Sequence, residues 1–135
     1  MPNVPLLPDD AYVLGNPIID AEHRRLLESI ESLLNARSDA DAEHAAETLV
    51  EVWRQHCVEE ENLMEESHYP DIQRHKEIHQ EFDGLLLYFL EQNLGRIMDG
   101  HQEVARFTIG WFAGHVAKCD GPLAGYLAAG CAGRA

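Results

Sequence analysis

Apolar residues recur along the chain at spacings of three and four and almost never in strict alternation. That is the period of helices with one buried face, not of strands. Leu26, Leu27, Ile30, Leu33 and Leu34 form the first stripe, and with Asp20 as its N-cap they predict a helix from Asp20 to about Ala36. Ser38, Asp39 and Asp41 mark a connection. A second helix is predicted from Asp41 to Glu66, with Leu49, Val52, Trp53, His56, Glu60 and Leu63 on one side. Ser67 to Tyr69 read as a break, and Pro70 suits the first position of a third helix. There His75, His79, Phe82, Leu86 and Phe89 alternate spacings of four and three, and Asn93 and Gly95 end the run. A fourth helix carries Val104, Phe107, Trp111 and His115. Gly121-Pro122 should break it, leaving a short closing helix from Leu123 to Ala129.

Four helices with short connections predict an all-α, up-down-up-down four-helix bundle with an extended N-terminal arm and a short C-terminal helix. The arm, residues 1–19, holds Pro2, Pro5, Pro8 and Pro17, and proline favours extended backbone. Residues 20–129 are the expected bundle and 130–135 a flexible tail, all within a single domain of 135 residues.

Composition narrows the function classes. With 24 acidic and 10 basic residues the formal net charge is −14. Such a surface repels nucleic acid and anionic membrane, because both are bound by displacing counterions with Lys and Arg. No apolar run approaches the ~20 residues of a membrane span, and no secretory signal is visible. Cys57, Cys119 and Cys131 are odd in number and lack framework spacing, so they read as small buried or idle thiols in a reducing cytoplasm.

The apolar stripes are interrupted by polar residues, and this is where the chemistry lies. His56 and Glu60 are four apart, as are His75 and His79, and residues at i and i+4 share a helix face. His115 with Asp120 forms a third cluster, and His23 sits alone on the first helix. Burying five imidazoles and two carboxylates without partners is costly, and metal binding removes that cost. Seven groups exceed the four of tetrahedral zinc, whereas imidazole with carboxylate suits iron. On two six-coordinate ions, these imidazoles, two bridging carboxylates and one bridging oxygen fill every position but one, which leaves room for a small diatomic ligand. A spacing of five turns Asp120 ~140° from His115 in a regular helix. Asp120 therefore reaches the same point only if the helix deforms or ends, and Gly121-Pro122 supplies an ending. His44, His68 and His101 lie among polar neighbours and read as solvated, as do Glu59, Glu61, Glu65 and Glu66.

These residues carry a resemblance. The stretch Ile19-Asp20-Ala21-Glu22-His23 is followed by His56 with Glu60, Glu61 and Met64, then by Tyr69-Pro70 ahead of His75, His79 and Phe82. Trp111, His115, Asp120 and Leu123-Ala124-Gly125-Tyr126-Leu127 complete the set. From Gly15 to Leu127 the chain resembles the hemerythrin family, in particular the bacterial hemerythrins. The resemblance implies two iron ions per chain, oxo- or hydroxo-bridged, with O2 as ligand. It implies that His75, His79 and His115 hold one iron, that His23 and His56 hold the second beside the open position, and that Glu60 and Asp120 bridge. Leu26, Leu27, Phe82 and Trp111 are candidates for lining the O2 pocket. The expected role is non-enzymatic O2 carriage, storage or delivery, with an electron donor or a downstream signalling domain as partner. Two other readings are an O2 or redox sensor module of a longer signalling protein, and a diiron oxidase, peroxidase or nitrosative-stress iron protein. The sequence departs from the family pattern at Tyr12, where the arm commonly has tryptophan, and at Cys57, where phenylalanine is common. The latter points ~100° away from His56 on a helix and is not expected to be a ligand.

Overall fold

The computed structural model describes residues 12–96 and 98–132. Four long helices carry the bundle: α1, Pro17–Leu34; α2, Asp39–Ser67; α3, Ile72–Asn93; and α4, Gly100–His115. Each packs on the next and α4 returns against α1, so the four close a ring around one core. A π-helical segment, Val116–Asp120, leads without a break into α5, Gly121–Ala132. No strand occurs among the described residues, and no helix is long and apolar enough to cross a membrane.

Local chemistry explains where the boundaries depart from the periodicity. The first helix starts three residues before Asp20. Asn16 is its N-cap, accepting from the Ile18 and Ile19 amides, with Pro17 at the first helical position. Asp20 instead turns back to the arm and accepts from the amides of Leu14 at 2.7 Å and Gly15 at 3.2 Å. Ser38 caps α2 through the Asp41 amide, which sets its start at Asp39. Pro70 lies in a turn before α3 and not in its first position; Asp71 is the N-cap residue. The arm thus ends at Asn16, and Pro2, Pro5 and Pro8 lie outside the described residues. The predicted flexible tail begins as helix, since α5 reaches Ala132; residues 133–135 lie outside the described residues.

The largest correction concerns Gly121-Pro122. It does not end the helix: the chain loosens into the π segment, where the Gly121 amide reaches the Val116 carbonyl five residues back. Proline, lacking an N–H, is tolerated where the hydrogen-bond register is changing. The continued helix docks through Leu123 and Ala124 against Ile19, Met64 and Tyr69, and Tyr126 Oη donates to the Ser67 carbonyl at 2.8 Å.

The main core, built on Leu26, Ile30, Leu33, Leu49, Trp53, Phe82, Leu86, Val104 and Phe112, fills the bundle beside the polar residues described below. At the end holding the α3–α4 connection, Gly100 lies so close to α3 that a Cβ there would run into the Asn93 carbonyl. Gly100→Ala is therefore expected to lower stability by about 1–3 kcal/mol, read from the urea midpoint. An unchanged midpoint would show that the connection moves aside freely.

Candidate metal centre

The seven predicted residues arrive from five helical segments. His23 comes from the first turns of α1, His56 and Glu60 from the second half of α2, and His75 and His79 from the start of α3. His115 is the last residue of α4 and Asp120 the last of the π segment. Ligand-bearing stretches near the starts of α1 and α3 thus meet those near the ends of α2 and α4, so neighbouring helices alternate in direction. The wider π turn brings Asp120 back towards the face of His115, where an α-helix would turn it away. All seven side chains are buried.

The polar atoms converge. Asp120 Oδ2 lies 2.8 Å from His23 Nε2, and its Oδ1 lies 3.0 Å from His115 Nε2 and 3.3 Å from His75 Nε2. Glu60 Oε1 is 3.0 Å from His75 Nε2, 3.2 Å from His79 Nε2 and 3.4 Å from His56 Nε2. Ligand atoms of His56, Glu60, His79, His115 and Asp120 all fall within 4.8 Å of one another. Close as they are, Nε2 of His56, His79 and His115 makes no hydrogen bond, and neither does Glu60 Oε2 or Asp120 Oδ1. Orphaned buried nitrogens and carboxylate oxygens are rare and costly. Here the unpartnered atoms crowd together within 4.8 Å, and that donor set fits transition-metal ions.

Burial and mutual proximity set the charges of these groups. Burial works against ionised Asp120, but the nearby imidazoles of His115, His23 and His75 outweigh it and hold the carboxyl well below its usual range. Glu60 is lowered likewise: burial opposes ionisation, and His56, His75 and His79 prevail. Burial brings His56 down to about 4, which leaves a neutral imidazole. For His75 burial is overcome by the carboxylates of Asp120 and Glu60, which lift it to about 9.

Behind this set stands a layer that the sequence reading missed. His23 Nδ1 donates to the Tyr12 carbonyl at 2.8 Å, and His79 Nδ1 faces Glu61 Oε2 at 3.1 Å. Groups that hold the outer nitrogen of a ligating imidazole fix its tautomer and orientation. Glu61, expected to be solvated, is therefore half-buried and engaged. Glu59 is also drawn in, held by Arg25 and Gln55. Glu22 is fully buried beside His56. Apart from Gln55–Glu59, at i and i+4 on α2, no helical spacing signals these contacts, because each joins different elements or depends on a backbone carbonyl. His44 and His68 are exposed as expected, whereas His101 is half-buried. Cys57 Sγ, a Glu61 oxygen and a His79 nitrogen lie within 4.8 Å of one another, and burial pushes the thiol up, away from thiolate.

Aromatic rings seal the inner side. The Trp53 ring centroid lies 5.5 Å from His56 and 5.4 Å from His79, and Phe112 lies 5.2 Å from His23. Tyr12 stacks on Phe112 at 5.3 Å, occupying with its own ring the place expected of an arm aromatic. Of the predicted pocket residues, Leu26, Phe82 and Trp111 border one apolar seam too tight for water, together with Phe112. Leu27 lies elsewhere, on a small cavity of about 20 Å³ with Tyr12 and His23.

Comparison with known proteins points to one family. The sequence model of the hemerythrin HHE cation binding domain matches residues 14–127. The chain is similar to a myohemerythrin of Sipunculus nudus, 27% identical over 61% of the chain and 66% of that protein. It is 34% identical to a bacteriohemerythrin of Stenotrophomonas maltophilia over 54% of the chain and 50% of that protein. A myohemerythrin of Riftia pachyptila is 26% identical over 91% of the chain and 94% of its own length. The chain thus spans about two thirds and one half of the first two relatives.

Two pH effects follow from His75. Its proton, held below about pH 9, occupies the Nε2 lone pair a metal needs, so adding ferrous iron at about pH 7.5 should release protons. A pH indicator in weak buffer reads this, and proton uptake would contradict it. In chelator-treated protein the stabilisation from His75 is complete below its unfolded value near 6.5 and is lost as pH rises through about 9. The melting temperature should fall across that window.

Proposed function

The chain belongs to the hemerythrin family of diiron O2-binding proteins, and from that premise we propose that it is a non-heme diiron protein that binds O2 reversibly for carriage, storage or delivery. The observation that carries this reading is the set of orphaned, inward-facing Nε2 and carboxylate atoms at one end of the bundle.

In this reading His75, His79 and His115 hold one iron, His23 and His56 hold the second, and Glu60 and Asp120 bridge the pair. Iron supplies the reversible redox change through which O2 is held. The protein's part is to keep the site rigid and dry. Tyr12 fixes His23 through its carbonyl and Glu61 fixes His79, so neither ring turns its proton towards the centre. Trp53, Phe82 and Phe112 exclude water from the inner side, which slows water-assisted loss of the bound ligand. Binding, not turnover, is the proposed role, since five imidazoles with two carboxylates differ from the carboxylate-rich ligation of ferritin-like diiron oxidases. The cytoplasm suits the unpaired thiols, Cys57 and Cys119.

Anaerobic loading with ferrous iron tests the reading directly. Two irons per chain are expected, with an absorption change on adding O2 that reverses when O2 is removed. Fewer than two irons would defeat the diiron assignment. Irreversible oxidation would defeat the carrier role, and turnover of peroxide or NO faster than autoxidation would move the protein to the enzymes. Glu60→Ala and Asp120→Ala should each lower the iron retained per chain, by removing a bridge.

A further inference from the structure

Among the described residues three carboxyl side chains are buried: Glu60 and Asp120, already assigned to the centre, and Glu22, which has no role there. Glu22 is 1% exposed and precedes His23 on α1. Neither of its oxygens meets a nitrogen or hydroxyl donor at hydrogen-bond geometry. Its Oε1 stands 3.7 Å from His56 Nδ1, within ion-pair range but beyond a hydrogen bond. His56 Nδ1 is itself buried and unpartnered, unlike the outer nitrogens of His23 and His79.

The group that Glu22 Oε1 faces is His56 Nδ1, and both side chains are fully buried. Glu59 of α2 neighbours Glu22 on its other side, and Arg25 Nη2 at 3.1 Å and Gln55 Nε2 at 3.0 Å fix Glu59 from the surface. Arg25, Glu59, Glu22 and His56 thus form a row from solvent to the centre.

We propose that Glu22 is the positioning residue of His56: its buried carboxyl stands behind Nδ1 and leaves the Nε2 lone pair to the metal. The inference rests on the diiron reading above and extends it to one side of the site. Glu61 stands behind His79 and Glu22 behind His56, so an imidazole of each iron has a carboxyl of its own behind it. Loss of Glu22 should loosen a single iron.

The test compares the full chain with Glu22→Gln, Glu22→Leu and Glu59→Ala, each loaded with ⁵⁷Fe. Retention of iron against a chelator and the Mössbauer spectrum are both recorded. Glu22→Gln keeps a carbonyl oxygen for His56, so it should match the parent. Glu22→Leu should release one iron of two about 10–100-fold faster and shift one quadrupole doublet while the other stays. Glu59→Ala, on a half-exposed position, should act in the same one-sided way but more weakly. Equal loosening of both irons, parental behaviour in Glu22→Leu, or failure of Glu22→Gln to rescue would overturn the proposal. If the parent chain fails to hold two irons, the diiron reading falls, and His56 decides the proposal alone. Long-range ¹H–¹⁵N correlation on chelator-treated protein should then find His56 protonated at Nδ1 in the parent and Glu22→Gln but not in Glu22→Leu. The same tautomer in all three would refute it.

Discussion

Asp120 has more imidazole neighbours than any other carboxylate in the bundle, touching His23, His75 and His115 and lying 3.9 Å from His56. Those four rings belong to four different helices, so one buried carboxylate ties the whole ring of helices together at this end. A lone ionised carboxylate in such a place costs several kcal/mol, and its neighbours recover that cost only if all of them are held in position. The helix caps, the aromatic wall and the docked C-terminal helix can each be understood as serving this requirement. Glu60 plays the same part on the other side, linking His56 to His75 and His79.

The bundle is divided along its length. Leu33, Ala45, Leu49, Leu86, Val104 and Ala105 close one part by apolar packing, where shape and volume decide stability. The other part is organised by polar atoms, beside a second apolar cluster of Ile19, Met64, Tyr69, Leu123 and Ala124. Trp53 and Phe112 sit at the boundary and belong to both, packing on leucines on one side and on imidazoles on the other. Their flat faces let a dry core meet a charged cluster without a layer of water between them.

Much of this was legible in the sequence because it follows helical arithmetic. His56 with Glu60 and His75 with His79 announce themselves at i and i+4, and the apolar stripes fix which faces meet. Asp120 was legible only in part: the spacing of five showed that the helix must change, but a break at Gly121-Pro122 and a continuing π segment satisfy the same spacing. The choice depends on Leu123, Ala124 and Tyr126 finding partners on α1 and α2, which no local pattern encodes. Glu22, Glu59 and Glu61 were illegible for a related reason. Each reads as one more acid on a charged helix face, and only the neighbouring helix turns it inward. The N-cap of α1 was misread because Asp20 and Asn16 are both good caps, and the arm takes Asp20 for itself.

The unbroken passage from α4 through the π segment to α5 makes the C-terminal helix a lever whose fulcrum is Asp120. Because no loop intervenes, α5 cannot roll about its axis or swing away without carrying that carboxylate with it. Tyr126, clasping the carbonyls of Ser67 and His68, is the clamp on the lever's arm. A helix that contributes no side chain to the centre thereby governs its alignment, and torque applied far from the buried cluster is delivered to its most connected atom pair.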